Sequence, residues 1–269
     1  MASATLRKAW QGKWALVTGA SAGIGEAIAV ELAQAGVNLV LTARRRERLD
    51  LLAERLRTHH SIQTQVLVAD LIQSGAPQQI FDATEGAGLQ VDVLVNNAGF
   101  GEYGEFVSSR MEMQVNMVQV NCAAVVHLTR LFLPRMIERR QGAVMIVAST
   151  ASYQPVPYMA TYAATKAFDR FLAEAVAEEV KRYGVHVSAL CPGPTESEFN
   201  QVAGTRNNDK RKVQSAEQVA RQGLEGLAAG KRWVLPYFRG RLQVFAQRFF
   251  PRTFVTGTAE RMFRPRSRQ

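Results

Sequence analysis

The chain has 269 residues, 47% hydrophobic and 21% charged, which fits one domain with a well-buried core or at most two small ones. Its net charge of +10 is concentrated: residues 231–269 hold ten Lys/Arg and one acid, against 23 basic and 22 acidic groups before them, so the body is nearly neutral and no nucleic-acid partner is implied. No apolar run reaches the roughly 18 residues of a bilayer span, the N-terminus lacks the apolar core of a secretory signal, and Cys122 and Cys191 have no metal or redox spacing, so buried thiols in a cytoplasmic setting are expected.

Lys13–Thr18 reads as a buried strand, followed by Gly19-Ala-Ser-Ala-Gly23-Ile-Gly25 and a helix over Glu26–Ala35. Strand, glycine loop and helix in that order suit a diphosphate, because glycines let the backbone approach and the helix N-terminus favours negative charge. A plain glycine turn is the competing explanation. Gly19, Ser21, Ile24 and Gly25 are the cofactor candidates here. Val37–Ala43 is a second strand, after which the chain reads Ala43-Arg44-Arg45-Arg46 with no acid before Glu47. An acid at that point suits the 2′-hydroxyl of NAD, whereas arginine suits the 2′-phosphate of NADP. Arg44 is preferred and Arg45 comes second, since a solvated charge run would explain at least one of them.

A helix is expected over Arg45–Thr58, with His59 and His60 in the loop beyond it. A third strand, Gln63–Ala69, delivers Asp70-Leu71. Asp70 could accept from an adenine amino group or simply cap the next turn. A helix over Pro77–Ala87 leads to a fourth strand, Val91–Val95, and to Asn96-Asn97-Ala98-Gly99. Asn97 and Gly99 allow close approach to a ligand, and Asn96 is expected to brace loops. Arg110–Glu138 reads as one long helix whose apolar side is interrupted by Asn121, a buried polar group in need of a partner.

Gly142–Ala148 is a fifth strand ending at Ser149, and a helix from about Tyr158 to Tyr183 carries Tyr162 and Lys166 on one face. An ammonium beside a phenol favours the phenolate, which would move the Tyr162 pKa toward working pH and suit proton transfer at a carbonyl or alcohol. Val185–Cys191 is a sixth strand ending in Pro192-Gly193-Pro194-Thr195. Strands alternate with helices, so an α/β fold with a parallel sheet is expected, and every candidate lies at a strand's C-terminal end, where such sheets bind ligands.

The motifs Thr18-Gly19-x-x-x-Gly23-Ile24-Gly25, Asn96-Asn97-Ala98-Gly99, Ser149 thirteen residues before Tyr162, Tyr162-x-x-x-Lys166 and Pro192-Gly193 stand in order. In this the chain resembles the short-chain dehydrogenase/reductase family over nearly all of residues 13–236. The resemblance implies a single-domain, Rossmann-like, doubly wound sheet of seven parallel strands flanked by helices. It also implies a tetrad of Asn121, Ser149, Tyr162 and Lys166. The Tyr would be the proton donor, with the Lys lowering its pKa and holding the nicotinamide ribose. The Ser would bond the carbonyl oxygen and the Asn would support a water. Asn116 and Ser152 are competitors that lack the family's positions. Further implied cofactor contacts are Pro192, Gly193 and Thr195. NADP(H) is the implied cofactor, no metal is required, and homodimers or homotetramers are the implied assemblies.

Thr195–Val213 is weakly patterned, and the resemblance makes it a lid of about residues 195–213; a surface loop over Asn207–Lys212 is the alternative. A helix over Ser215–Ala229 and a last strand over Arg232–Leu235 complete a domain of residues 13–236, after an extension over 1–12. Residues 237–269 form a basic C-terminal extension. In Arg239–Phe250, Leu242, Phe245, Ala246, Phe249 and Phe250 share one helical face. That face would pack on the body or a second subunit, or lie on an anionic membrane through residues 239–269. The expected activity is interconversion of a ketone or aldehyde and an alcohol in a pocket walled by the loop after Asn97, residues near Ser152–Tyr158 and the Thr195–Val213 lid, whose aromatic and aliphatic residues suggest a partly apolar substrate, lipid-like if membrane contact holds. A catalytically silent NADP-binding sensor or scaffold is the alternative, and the complete tetrad argues against it.

Overall fold

The computed structural model describes residues 4–204 and 213–265. Short apolar runs form a parallel sheet: β1 (Trp14–Thr18), β2 (Asn38–Ala43), β3 (Thr64–Val68), β4 (Val93–Asn96), β5 (Gly142–Val147), β6 (Val185–Leu190) and β7 (Trp233–Val234). Their order is β3-β2-β1-β4-β5-β6-β7. The order reverses between β1 and β4, which pair through Ala15↔Val93 to Val17↔Val95. A crevice for a ligand is expected beyond that point.

Both faces of the sheet are covered, which is why the strands read as continuous apolar runs. Alternate residues feed opposite layers. Ala15 and Val17 of β1, with Val93 and Val95 of β4, join the layer of α1 (Ala4–Trp10), α2 (Gly23–Gln34), α3 (Arg46–His60) and α9 (Ala216–Ala228). Leu16 and Leu94 face the opposite layer, formed by α4 (Ala76–Asp82), α6 (Ala124–Glu138) and α7 (Ala160–Val180). Leu6 and Trp10 of α1 are buried in the first layer, so the N-terminal segment contributes to the core.

Several helices depart from expectation. His59 and His60 are the last turn of α3 rather than loop; Ser61, in the left-handed region at φ 53°, ends the helix. The helix expected over Pro77–Ala87 breaks after Asp82, where Thr84 turns its hydroxyl onto the Ile80 carbonyl. The long helix over Arg110–Glu138 is α5 (Met111–Val118), a wide π turn over Gln119–Ala123, and α6. Although the sequence has no uninterrupted apolar run of span length, the joined rod Met111–Glu138 is long and apolar enough to cross a bilayer by length and composition. Here Met117, Leu128, Phe132 and Met136 are buried in the protein interior. Beyond β7 the tail makes two helices, α10 (Phe238–Gln247) and α11 (Arg252–Phe263), where only one was foreseen. The lid region contains α8 (Phe199–Ala203), and the loop expected over Asn207–Lys212 lies outside the described residues.

Candidate active site

The glycine loop owes its shape to missing side chains. Gly19 and Gly23 hold φ of 66° and 58°, which favour glycine. A Cβ on Gly25 would lie 2.4 Å from both the Gly19 carbonyl oxygen and Asn97 Nδ2, so only glycine permits this packing. The loop is tied to β4: Thr18 Oγ1 donates to Val95 O at 3.1 Å and accepts from the amides of Asn97 and Ala98, both at 2.9 Å. Asn97 Nδ2 donates to Thr18 O at 2.8 Å, and Asn97, Ala98 and Gly99 line the cleft. Asn96 braces the neighbouring helix, donating to Thr129 Oγ1 at 3.0 Å. Because α2 begins at Gly23, three residues before the expected Glu26, its first residues Gly23 and Ile24 line the cleft.

At the far end Arg44 and Arg45 diverge. Arg45 reaches Ser21 Oγ at 3.0 Å and Glu198 at 2.8 Å, and Arg48 takes the other Glu198 oxygen at 2.5 Å. Those two guanidinium groups, Arg48 foremost, hold the Glu198 carboxyl below its usual range. Arg44 lines the cleft and has no side-chain hydrogen bond among the described residues. Asp70 Oδ1 accepts from the Ile72 amide at 3.1 Å, the turn cap named as its plainer role, and Asp70 and Leu71 both border the cleft.

The reacting end is built on β5 and α7. Ser149 follows β5 and accepts from the Ala151 amide at 3.1 Å. Lys166 is buried, donating to Val147 O at 2.7 Å and Asp169 Oδ2 at 2.9 Å. Asp169 is 1% exposed, and its Oδ1 has no partner among the described residues. Asn121 finds the partners it needed: Nδ2 donates to Phe100 O and Thr165 Oγ1, both at 3.0 Å, and Oδ1 accepts from the Phe100 amide at 3.1 Å. It sits in the π turn, a feature that often marks functional positions. A Cβ on Gly99 would stand 3.0 Å from Asn121 Oδ1 and 3.4 Å from Lys166 Nζ, so glycine keeps the space between them open.

The electrostatics of the pair differ from expectation. Burial pushes the Tyr162 phenol above its ordinary value; the Lys166 ammonium and the Ser149 hydroxyl pull it back only in part. Burial alone would depress Lys166, but the Asp169 carboxylate, aided by Tyr162, holds the ammonium above its usual range. Sequence reading counted the cation and missed the anion three residues on. An acid one turn from Lys166, on the same face of the helix, was the available signal. Burial pushes both thiols up, Cys122 to about 12 and Cys191 to about 11.

One cleft of about 1450 Å³ gathers these parts. It touches Gly19, Ser21, Ile24, Arg44, Arg45, Asp70, Leu71, Asn97, Gly99, Ser149, Tyr162, Lys166, Pro192, Gly193 and Thr195. Gly25 and Asn121 stand behind the surface as supports. The Pro192 loop is pinned by the Thr150 amide on Pro192 O at 2.8 Å and by Thr195 Oγ1 on Gly193 O at 2.9 Å. Tyr103, Met159 and Phe199 wall the cleft from the expected segments, the loop after Asn97, the stretch near Tyr158 and the lid, whereas Met262 and Phe263 of the tail were not foreseen there.

A family model for short chain dehydrogenases matches residues 13–208. Over 193 residues the chain is 36% identical to a very-long-chain 3-oxoacyl-CoA reductase-B of Danio rerio, covering 70% of this chain and 61% of that relative's length. A short-chain dehydrogenase from Sphingobium yanoikuyae, solved with NADPH, superposes with a TM-score of 0.80 at 29% identity, over 96% of this chain and 98% of that one. The bulky-bulky ketone specific alcohol dehydrogenase from Comamonas testosteroni gives 0.76 at 28% identity, over 96% of each chain. The family model covers well over half of the chain and the seven-stranded parallel sheet accords with it, so the chain belongs to the short-chain dehydrogenase/reductase family.

Proposed function

We propose that this protein is an NADP(H)-dependent oxidoreductase that interconverts a ketone or aldehyde and an alcohol. The observation that carries the proposal is the convergence of Ser149, Tyr162 and Lys166 with the glycine loop on one cleft. The loop fits a dinucleotide: its glycines leave a cradle that Cβ atoms would fill, and α2 opens into it. Arg44, with Arg45 beside it, suits a 2′-phosphate. Asp70 and Leu71 would border the adenine. Asn97, Gly99, Pro192, Gly193 and Thr195 would frame the nicotinamide half. When bound, the nicotinamide supplies or accepts the hydride.

This chain's residues handle the charge and the proton. In reduction the Tyr162 phenol, kept protonated by burial, gives its proton to the carbonyl oxygen. The Ser149 hydroxyl donates to the same oxygen as negative charge grows there. Lys166, held cationic by Asp169, stabilises the phenolate left behind and reaches the ribose hydroxyls with its remaining N–H. Asn121 Oδ1 has a second lone pair for a water in the space beside Gly99. A screen of ketones and aldehydes with NADPH and NADH, repeated with Tyr162→Phe, tests the proposal. Turnover that survives the substitution, or equal efficiency with NADH, counts against it.

The substrate is apolar and lipid-like in this proposal, because Tyr103, Met159, Phe199, Met262 and Phe263 wall its end of the cleft. Two exposed apolar surfaces supply the partners. Val115, Val118, Val126, Phe168 and Phe171 of the α5–α7 side are exposed and suit a second copy of the chain. Sedimentation of Phe171→Glu should show smaller assemblies than the parent. On the tail, Leu242, Phe245, Phe249, Phe250 and Phe254 are exposed rather than packed on the body, among Arg241, Arg248 and Arg252. That combination suits peripheral contact of a cytoplasmic enzyme with an anionic membrane. Co-sedimentation with anionic but not neutral vesicles is the expected result.

A further inference from the structure

The family match ends at residue 208, yet α11, beginning at Arg252, reaches the reacting end of the cleft. Its inner side holds Ala259, Glu260 and Phe263, with Ala259 buried. Phe263 packs in the cluster of Val156, Met159 and Ala163, which also takes in Tyr162 and Phe199. Two tyrosines from the cleft's loops grip the helix. Tyr103 Oη donates to Phe263 O at 2.7 Å, and Tyr158 Oη donates to Glu260 Oε1 at 2.9 Å. Arg264 Nε and Nη2 hold the same carboxylate at 2.8 and 2.9 Å. Tyr158 pays for its position in backbone strain, with φ at 65°, a region bulky residues avoid unless their surroundings dictate it. Met262 of α11 and Val202 of α8 line the same cleft and are largely exposed among the described residues, so the two helices border its apolar end.

We propose that α11 is the specificity-determining wall of the substrate site, latched by Tyr158 and Glu260. It admits an elongated aliphatic ketone whose chain lies along Phe263 and leaves past Met262. The proposal rests on the reductase reading and goes beyond it, because the wall is made by residues outside the family match. Phe263 sets the chain contact directly. Glu260 and Tyr158 act through α11, as positioning residues.

The test compares 2-butanone with 2-dodecanone as substrates of the full chain with NADPH. Phe263→Ala should lower kcat/KM for 2-dodecanone about tenfold more than for 2-butanone, the scale expected for losing one large apolar contact. Glu260→Gln and Tyr158→Phe should move the ratio the same way by less, and hydrogen exchange of residues 252–263 should quicken in both. Phe263→Leu, which keeps apolar bulk, should fall between parent and alanine variant. An unchanged substrate ratio in Phe263→Ala, or unaltered exchange of α11 in Glu260→Gln, overturns the proposal. If the parent reduces neither ketone, the reductase reading fails for this class. Calorimetry of 2-dodecanone with the NADP⁺-loaded protein still decides the wall: weaker binding to Phe263→Ala supports it and equal binding overturns it.

Discussion

The two ends of the cleft are built by different means. The cofactor end is made of backbone: glycines at Gly19, Gly23 and Gly25, a helix start, and a threonine that stitches two strand ends together. Its residues stand in short runs just after β1, β2 and β4. The reacting and substrate end is made of side chains from distant segments, where Tyr103 meets Phe263 and Lys166 depends on Asp169. A backbone site tolerates few changes at its glycines and shows itself in a motif. A side-chain site exists only after tertiary packing.

The contrast predicts where single changes hurt most. Tyr162→Phe removes the proposed proton donor and little else, so kcat/KM for any carbonyl substrate should fall about 10²–10⁴-fold. Dinucleotide affinity, read by protein fluorescence, should stay within a few-fold. Loss of cofactor affinity instead would mean that the two ends are not separable. Gly25→Ala is the matching test of the backbone end. The added carbon would stand 2.4 Å from Gly19 O, so the loop must move. NADPH dissociation constants should rise more than about tenfold and stability should fall by about 1–3 kcal/mol, the usual cost of overpacking.

What could be read before folding follows the same division. Strand limits came within two residues, because strands buried on both faces are plain apolar runs. The sites after β1, β2, β4, β5 and β6 were legible because an α/β sheet brings strand ends together. The π turn at Asn121 was not, since nothing in Gln119–Ala123 distinguishes it locally; the interruption of the apolar side by Asn121 was the only hint. The division of the tail into α10 and α11 was also hidden, although Pro251 at the start of the second helix is a recognisable stop and start. The apolar face of the tail was visible, but its exposure could be known only from the fold.

The arginines sharpen the contrast at smaller scale. Arg45 is engaged with Ser21 and Glu198, whereas Arg44 faces the cleft without such bonds among the described residues. Arg44→Ala should therefore lower efficiency with NADPH about 10–100-fold, the worth of one or two charge-assisted hydrogen bonds, and leave NADH nearly unchanged. Arg45→Ala should cost less, because Arg48 can keep Glu198 in place. Equal losses with both cofactors would show that the arginines serve the loop rather than the phosphate.

The subtlest test concerns Asp169. The groups facing it and its partner are Lys166 and Tyr162 on α7, Ser149 after β5, and Cys122 in the π turn. Cys122, with its pKa near 12, stays neutral through the working range. The Asp169 charge helps both Lys166 and Tyr162 keep their protons, so Asp169→Asn must ease the first alkaline ionisation of the coupled pair. If the phenol ionises first, the proton donor is gone; if the ammonium does, the phenol becomes a poorer acid. Either way the alkaline limb of kcat/KM for reduction should move to lower pH. The asparagine oxygen can still accept from Lys166, so the fold should survive at less than the about 3–5 kcal/mol that breaking a buried pair costs. A profile that does not move while stability drops would reduce Asp169 to a packing role, and the proton chemistry would then rest on Tyr162 and Lys166 alone.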